Sequence, residues 1–575
     1  MMKKIILVFF IFLILPVFSE KFWIRVHDAR LRPELDIAFI GPDFTDYIVN
    51  EDELRSLTVK SGLSPVLLRY NDDLSGYSSY DGILSVLNAL SDSYPALVSV
   101  SDIGDSYERV AFGTNSNYVR RDIWAVKLCA DVSSDDTRPV FLIMGEHHAR
   151  ELETSEIVIS FISELIDEYS AGDTFVTGLL TGYQLYFIPM VNPDGREVVY
   201  KGADIMWRKN TRDNDDDCSY AGLYDGVDLN RNYDWHFAES GTSPYYYSEV
   251  YPGSAGFSEY ETQAVRDFAE QVNPIASISY HTYGELVLYP FGYSSSAIAP
   301  DQDRLSWIAY NIAQKIGSLD GYSKYFAEKS SGLYPASGDG DDYLYGQLGT
   351  FSFTVEMGDE FHPLWSEVET LKTENYKGLK EFFGCFMKNY ISGYIYDDET
   401  GLPLEGVNIK ITDLNGYSLV AQRTNRPNGQ YYWALADGEH TLAVSKKDYQ
   451  AQYFCFTVEG DTVRRDFRLK KSSLTADGPE VRVFPNPAAA RDSIISIENI
   501  GEGFSAECSI FSASGDLVYR FAPKITEGDA VADSFIINKV LDDGTNMRSG
   551  IYFVHISLEK DTVFFEKLVK FAFIH

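Results

Sequence analysis

Residues 140–151 read VFLIMGEHHARE, an apolar run followed by a short polar turn. The apolar run has the length and composition of a buried strand, and a helical pattern follows the turn. His148 and Glu151 lie three residues apart, so an imidazole nitrogen and a carboxylate oxygen can face one ion. Zinc accepts such ligands at ~2.0–2.2 Å, and a catalytic zinc site needs three protein ligands and a water. The turn therefore predicts part of a metal site; the alternative is a solvated loop histidine beside a surface glutamate.

Two later strand-like segments end in residues that suit the same site. His281 follows residues 275–280, and Glu356 follows residues 351–355. Sites in open α/β sheets gather at the carboxyl ends of strands, so His281 is the candidate third ligand. Burying a carboxylate at the end of a strand costs free energy unless the group is paired, hydrated or functional. Glu356 is therefore a candidate functional residue of the same site. A structural role for a strand-end histidine is the alternative.

Residues 74–390 alternate between apolar runs and helical patterns. Apolar residues at helical spacing over 83–90 predict a helix that Pro95 stops, and those over 157–165 predict a second helix. Ser258 and Glu261 have the spacing of a capping box at the start of a third. Buried strands between amphipathic helices indicate an α/β sheet covered on both faces. The predicted strands are 122–128, 139–144, 183–191, 275–280 and 350–356.

The remaining segments suggest an exported chain with small flanking domains. Residues 1–19 combine Lys3 and Lys4 with an apolar run, which indicates a secretory signal peptide, with an uncleaved anchor as the alternative. No later segment has eighteen uninterrupted apolar residues, so we expect no transmembrane segment after cleavage. Residues 20–73 form a small mixed unit with a helix near 51–61. Residues 391–471 and 472–575 have the alternating pattern of two small β-sandwiches.

The amino-acid composition limits the classes of partner that the protein can bind. The 575 residues include 49 basic and 85 acidic side chains, a net charge of −36, which excludes a general nucleic-acid surface and disfavours anionic membranes. An aromatic content of 14% excludes a disordered chain. The five cysteines are scattered and odd in number, so we interpret them mostly as buried small side chains with at most one incidental bridge: Cys129, Cys218, Cys385, Cys455 and Cys508.

Two segments place arginine beside apolar residues in this acidic chain. Arg208 lies in residues 206–212 and Arg231 in residues 226–233. Their planar guanidinium groups suit the recognition of carboxylates, although each taken singly also fits a surface salt bridge. The acidic run 213–217 lacks the glycine and the distal glutamate of an EF-hand loop, so a solvated loop is favoured over a calcium site.

Seven motifs in one order resemble the secreted zinc metallocarboxypeptidases of the funnelin (carboxypeptidase A/B-like) family over about residues 75–388. The resemblance implies a mixed, twisted eight-stranded sheet flanked by helices. It also implies one zinc ion per catalytic domain and substrates with a free C-terminal carboxylate. The motifs are His148–Glu151, Asn192–Gly195, Trp207–Lys209, Asp228–Asn232, Tyr280–Tyr283, Tyr289–Tyr293 and Leu333–Gly338, followed by the strand that ends at Glu356.

The resemblance also implies roles at matching positions. His148, Glu151 and His281 match the zinc ligands. Glu356 matches the general base, and Arg208 matches the group that stabilises the oxyanion. The clamp on the substrate's terminal carboxylate is matched by Asn230, Arg231 and Tyr334, with Arg150 and Tyr283 as secondary contacts.

Asp341 falls at the floor of the family's side-chain pocket, which is apolar in A-type enzymes and Asp in B-type enzymes. A buried carboxylate there favours C-terminal Lys or Arg. Asp339 nearby leaves a mixed preference open, and Lys329 would weaken the preference if it approached Asp341. Leu152 stands where many relatives carry Trp, and Cys218 has no cysteine nearby for the disulfide of animal members.

The flanks resemble other modules. Residues 21–73 resemble a pro-segment, and residues 393–470 a transthyretin-like, carboxypeptidase regulatory-like domain. Residues 480–575 resemble the C-terminal sorting domain of type IX secretion, with an ordinary adhesion module as the alternative. These resemblances predict a secreted or cell-surface protein of a Gram-negative-type bacterium whose tail engages the secretion machinery. Two other functions stay open, a cell-wall (peptidoglycan) peptide hydrolase and a non-catalytic peptide-binding protein.

Overall fold

The computed structural model divides the chain into two compact units, residues 1–296 with 308–382 and residues 297–307 with 383–575. The structure describes residues 21–27, 35–40, 45–60, 65–67, 73–112, 120–134, 137–216, 222, 224–415, 420–424, 428–471, 480–484, 488–489, 494–498, 505–512, 517–521, 531–536, 550–560 and 563–574.

The first strands of the first unit form a small antiparallel sheet. Strand β1 pairs with β3 on one side and with β4 on the other, and β2 continues the sheet beyond β3. The predicted helix near 51–61 is present as an α-helical turn, α1, followed by a π-helical turn. The bounds are β1 Lys21–Val26, β2 Asp36–Ile40, β3 Thr45–Asn50, α1 Glu51–Arg55, π-turn Ser56–Lys60 and β4 Val66–Leu67.

An eight-stranded mixed sheet forms the centre of the first unit, which confirms the predicted fold class. Its strand order is β11-β10-β12-β9-β7-β8-β6-β5. The four central strands β12, β9, β7 and β8 run parallel, so their carboxyl ends share one edge. The bounds are β5 Val98–Asp105, β6 Asp122–Leu128, β7 Val140–Gly145, β8 Gln184–Ile188, β9 Ala276–Thr282, β10 Leu286–Tyr289, β11 Phe326–Lys329 and β12 Phe351–Met357.

The helices begin close to the predicted positions. Helix α2 is capped by the Ser79 side chain, which accepts from the Gly82 N–H at 3.1 Å, and it ends before Pro95 as expected. The bounds are α2 Tyr80–Ser93, α3 Tyr107–Phe112, α4 Leu152–Ser170, α5 Thr174–Gly182, α6 Pro193–Tyr200, a 3₁₀ turn Leu229–Arg231, α7 Tyr260–Val272, α8 Gln302–Lys315, α9 Ser330–Leu333, α10 Gly340–Leu348 and α11 Trp365–Phe386.

The predicted capping box of helix α7 is wrong. The N-cap residue is Glu259, and its N–H donates to the side-chain oxygen of Asn232 at 3.1 Å. The hydroxyl of Ser258 donates instead to the Glu259 carboxylate at 2.7 Å. A tertiary contact from 27 residues earlier in the chain therefore replaces the local cap.

Strand β7, which leads into the turn that carries His148 and Glu151, is buried on both faces. All six residues of β7 are buried, and α4 packs its predicted apolar face over the same sheet, with Phe161 and Leu165 fully buried. Burying each such side chain contributes ~1.5–3 kcal/mol, so this layer anchors the turn that leads to His148.

The second unit is rich in strands. Cys385 is buried, as Cys129 is in the first unit, which agrees with the prediction that the cysteines are mostly buried, whereas Cys455 is exposed. The side chains of Cys218 and Cys508 lie outside the described residues. The strands are β13 Tyr390–Asp397, β14 Asn408–Asn415, β15 Val420–Thr424, β16 Gln430–Ala434, β17 Gly438–Ser445, β18 Gln452–Val458, β19 Thr462–Arg464, β20 Phe467–Leu469, β21 Glu480–Phe484, β22 Ala488–Ala489, β23 Ile494–Glu498, β24 Ser505–Ser512, β25 Leu517–Phe521, β26 Val531–Ile536, β27 Gly550–Lys560 and β28 Val563–Ile574.

Each of the two predicted β-regions divides its strands between two sheets. Strands β13, β16, β19 and β20 form one sheet, and β15-β14-β17-β18 form another. The later strands form β21-β23-β26 and β22-β28-β27-β24-β25. In the part of the chain that the structure describes, none of the helices has the length and apolar character needed to span a membrane.

Gly145, the last residue of β7, permits a close backbone approach beside the metal-site turn. A Cβ atom there would lie 2.9 Å from the carbonyl oxygen of Pro189 and 3.2 Å from that of Thr154. We expect Gly145→Ala to lower the free energy of unfolding by about 1–3 kcal/mol, because backbone atoms must move. Urea denaturation measures this. The matched control is Gly182→Ala, where a Cβ meets nothing within 4 Å; an equal loss in both variants would contradict the prediction.

Candidate active site

The three predicted metal ligands converge at the carboxyl edge of the sheet. Nδ1 of His148 lies 2.8 Å from Oε1 of Glu151 and 3.2 Å from Nδ1 of His281, which lies 3.1 Å from Oε2 of Glu151. The turn 146–151 after β7 supplies His148 and Glu151, and β9 supplies His281. All three residues are buried.

This donor set fits a zinc ion. Ligands at ~2.0–2.1 Å from a tetrahedral centre lie ~3.3 Å apart, close to the observed separations. Burial lowers the pKa of His281, so its imidazole is neutral and able to ligate. Burial acts to raise the pKa of Glu151, but the two histidines lower it below its ordinary value, which keeps the carboxylate ionised.

The turn that carries the ligands is held by a buried ion pair. Glu146 has a positive φ of 56° and no exposed surface, and its carboxylate accepts from Nη1 of Arg196 at 2.7 Å. Burial raises the pKa of Glu146 to about 8, with Arg196 opposing the shift. Arg196 also donates to Glu156 of α4 at 3.1 Å, so one guanidinium fixes both the turn and the helix after it.

Asp228 links a metal ligand to the predicted oxyanion group. With Nδ1 of His148 facing the other ligands, its Nε2 lies 3.2 Å from Oδ1 of Asp228. Nε and Nη2 of Arg208 donate to Oδ2 of Asp228 at 3.0 and 2.9 Å. Burial acts to raise the pKa of Asp228, but Arg208 and Arg231 hold it well below its usual value. Sequence reasoning quoted the motif of Asp228 but gave this residue no role.

Glu356 faces the metal cluster from the neighbouring strand. It is the register partner of His281 in the parallel pair of β9 and β12. Burial, and then the charge of Glu151, raises the pKa of Glu356 well above its ordinary value. The carboxyl also lines a cavity together with Asn230 and Arg231, so it stands between the metal cluster and the predicted clamp.

The predicted carboxylate clamp lines that cavity. Asn230 uses its side-chain oxygen to accept from the N–H of Gly340 at 3.0 Å. Arg231 donates to the carbonyl oxygens of Asn230 at 2.7 Å and Gly241 at 3.1 Å, which fix its guanidinium 5.9 Å from the ring of Tyr334. The structure therefore brings all three clamp residues to one wall.

Asp341 lines the same cavity and is held rigidly. Its carboxylate accepts from the hydroxyls of Ser352 at 2.5 Å and Thr354 at 2.6 Å, both on β12. Burial, with the neighbouring charge of Asp339, raises the pKa of Asp341 to about 7. Lys329 donates to the carbonyl oxygens at 294 and 295, at 3.2 and 3.1 Å, and is not among the residues that line the cavity.

The two secondary contacts lie beside the N-terminal sheet. The guanidinium of Arg150 lies 4.3 Å from the ring of Phe361. The Tyr283 hydroxyl lies 3.3 Å from Oδ2 of Asp46, and its ring contacts Trp23 with centroids 5.5 Å apart. Tyr334 packs against the buried cluster of Ile24, Val26, Leu35, Ile37, Tyr47, Val49 and Leu57. Sequence reasoning missed Asp46 and Trp23, because no local pattern links them to the cleft.

Residues 213–216 of the acidic run are half-buried or exposed. The carboxylates of Asp213, Asp215 and Asp225 lie within 4.8 Å of one another, and Asp225 is buried. The backbone N–H groups of Asn214 and Gly222 donate to Asp225, which is the local reason for its orientation.

Comparisons with known proteins agree with this geometry. The zinc carboxypeptidase family matches residues 83–378, about half of the chain. The chain belongs to this family. It is a zinc-dependent metallocarboxypeptidase by family, and His148, Glu151 and His281 form a possible site for the metal.

Individual relatives also match about half of the chain or more. Carboxypeptidase B of Astacus astacus is 29% identical over 315 residues, which span 54% of this chain and 96% of that protein. Carboxypeptidase A1 of Bos taurus is 32% identical over 284 residues, 49% of this chain and 62% of that protein. The solved structure of carboxypeptidase A from Helicoverpa armigera covers 64% of this chain and 98% of its own, with a TM-score of 0.54 and 21% identity. It supports the fold alone.

Proposed function

We propose that this protein removes single C-terminal residues from peptides and proteins, with a preference for Lys and Arg. The observation that carries the proposal is one cavity that joins Glu356, the clamp of Asn230, Arg231 and Tyr334, and the carboxylate of Asp341. A clamp for a terminal carboxylate makes an exopeptidase, because an internal peptide bond offers no free carboxylate.

Each residue has a task in this reaction. His148, Glu151 and His281 would hold the zinc ion, which when bound would lower the pKa of a water toward ~7 and polarise the scissile carbonyl. Glu356 accepts a proton from the attacking water and passes it to the leaving amine. Arg208, oriented by Asp228, donates to the developing oxyanion. Arg231 and Asn230 hold the terminal carboxylate, and Tyr334 closes over it.

Glu356→Gln tests the assigned base. We expect kcat to fall by ~10²–10⁴-fold with little change in KM, because the amide cannot accept the proton but keeps the shape of the side chain. Hydrolysis of a peptide ending in Arg measures this, and a zinc chelator should abolish the activity of the unaltered protein until zinc is restored. The control is Glu239→Gln, whose side chain is 60% exposed. A Glu356→Gln variant that works at the parent rate would overturn the assignment.

The charge of Asp341 gives the side-chain preference a pH dependence. Since burial raises its pKa to about 7, the pocket is neutral below that pH and anionic above it. We expect kcat/KM for a C-terminal Arg relative to citrulline, its neutral isostere, to rise between pH 5.5 and 8.5. The ratio cancels pH effects on the shared chemistry.

Asp341→Asn supplies the control for this pH dependence. The amide keeps the size of the side chain but carries no charge, so the Arg-to-citrulline ratio should be low and flat across the same range. A ratio that rises equally in both proteins would refute the role of Asp341. A clear preference of the unaltered protein for C-terminal Phe would refute the basic specificity.

Residues 20–73 are proposed to act as a pro-segment that restricts the cleft. Support comes from the contacts of Trp23 and Asp46 with Tyr283 and from the packing of Tyr334 on the N-terminal cluster. Substrate contacts of Tyr283 and Tyr334 compete with these interactions.

A protease site introduced between residues 73 and 74 tests the pro-segment. We expect cleavage there to raise kcat/KM at least tenfold, because the side chains of Tyr283 and Tyr334 become available. The control carries the same site between residues 471 and 472. An unchanged rate after complete cleavage at 73 would show that the N-terminal unit leaves the cleft open.

The flanking assignments extend this proposal. Residues 1–19 would direct export, residues 391–471 would serve as the transthyretin-like domain, and residues 472–575 would engage a type IX secretion machinery and place the enzyme outside a Gram-negative-type cell. The intact clamp of Asn230 and Arg231 favours ordinary peptide C-termini over peptidoglycan peptides. Retention of Glu356 and Arg208 beside the metal site disfavours a non-catalytic binding protein.

A further inference from the structure

A second histidine of the ligand turn, His147, is buried against the metal cluster but has no ligand atom in it. Its ring stacks on that of His281, with centroids 5.5 Å apart and an interplanar angle of 20°. Nδ1 of His147 lies 3.2 Å from the hydroxyl of Ser279, and Nε2 lies 2.9 Å from the hydroxyl of Tyr233. The imidazole is therefore held at both nitrogens.

Ser279 connects this histidine to the metal ligand. Its hydroxyl oxygen lies 3.0 Å from Nε2 of His281, two residues further along β9 on the same face. Nδ1 of His281 faces the other two ligands, so Nε2 carries the proton and donates to Ser279. The Ser279 hydroxyl is then free to donate to His147, whose Nε2–H donates to Tyr233. Each group in this series donates to the next one, from His281 at the metal site outward to Tyr233.

We infer that Ser279 and His147 are positioning residues that fix the tautomer and ring orientation of His281 as a zinc ligand. Outer hydrogen bonds of this kind orient metal-bound imidazoles, and their loss costs ~10–100-fold in metal affinity or activity. The nitrogen of His148 that faces away from the metal site contacts the carboxylate of Asp228. The corresponding nitrogen of His281 instead contacts the uncharged hydroxyl of Ser279. The two imidazole ligands are thus supported in chemically different ways.

The inference rests on the zinc site of the proposed function, so its test reads metal retention directly. We expect Ser279→Ala and His147→Leu each to weaken zinc binding at least tenfold in a chelator competition. In the cobalt-substituted protein, the visible absorption bands should shift. The kcat of the zinc-loaded protein should fall while KM changes less than twofold, because neither residue contacts substrate. His147→Asn retains a polar atom near the position of Nδ1 and should restore most of the zinc affinity.

Ser277→Ala is the matched control. Ser277 lies two residues before Ser279 on β9, is fully buried, and donates to the Ser352 hydroxyl at 2.8 Å instead of to a metal ligand. This variant should lose stability as Ser279→Ala does but keep zinc affinity within twofold.

The outcomes are distinct. Equal zinc affinity in Ser279→Ala and Ser277→Ala would overturn the inference, as would equal losses in His147→Asn and His147→Leu. A double variant Ser279→Ala/His147→Leu that binds zinc no more weakly than Ser279→Ala would support the inference, because the loss of the Ser279 hydroxyl already separates His147 from His281. Failure of the unaltered protein to bind zinc would instead refute the metal site of the proposed function.

Discussion

The active site depends on the parallel pairing of β7, β9 and β12. Parallel neighbours place their carboxyl ends at one edge of the sheet, and here that edge receives His148 and Glu151 from the turn after β7, His281 from β9 and Glu356 from β12. The pairing of His281 with Glu356 sets their backbones about 4.8 Å apart. The separation of the proposed ligand His281 and the proposed base Glu356 therefore follows from backbone hydrogen bonds between strands that are almost fully buried.

Buried charged side chains hold the ligand turn and His148 in place, in addition to the backbone pairing of the strands. Glu146 with Arg196 fixes the ligand turn, and Asp228 ties His148 to Arg208. Removing one partner of such a pair leaves an uncompensated buried charge, which costs about 3–5 kcal/mol. These pairs therefore act as fixed points around which the metal cluster is assembled.

Much of the catalytic edge was predictable because each key residue follows a recognisable strand. His148, Glu151, His281 and Glu356 all carried that local signal, and the structure brings them together. The place of Asp341 was not a local signal and came from the family resemblance. Asp228 and His147 escaped prediction because the partners that give them a role, His148 and Ser279, lie 80 and 132 residues away in the chain. The cap of α7 failed for the same reason, since Asn232 displaces the local serine.

Strand β12 also sets the spacing between two parts of the proposed site. Ser352, Thr354 and Glu356 lie on one face of the strand; the first two hold the carboxylate of Asp341, the proposed floor of the side-chain pocket, and the last faces the metal cluster. Each step of two residues along a strand measures about 6.6 Å. The distance between the hydroxyls that hold Asp341 and the carboxyl of Glu356 is therefore set by the pleat of a single strand. A slip of β12 along β9 would displace Glu356 and the support of Asp341 together, so the register of one strand couples the proposed chemistry to the proposed specificity.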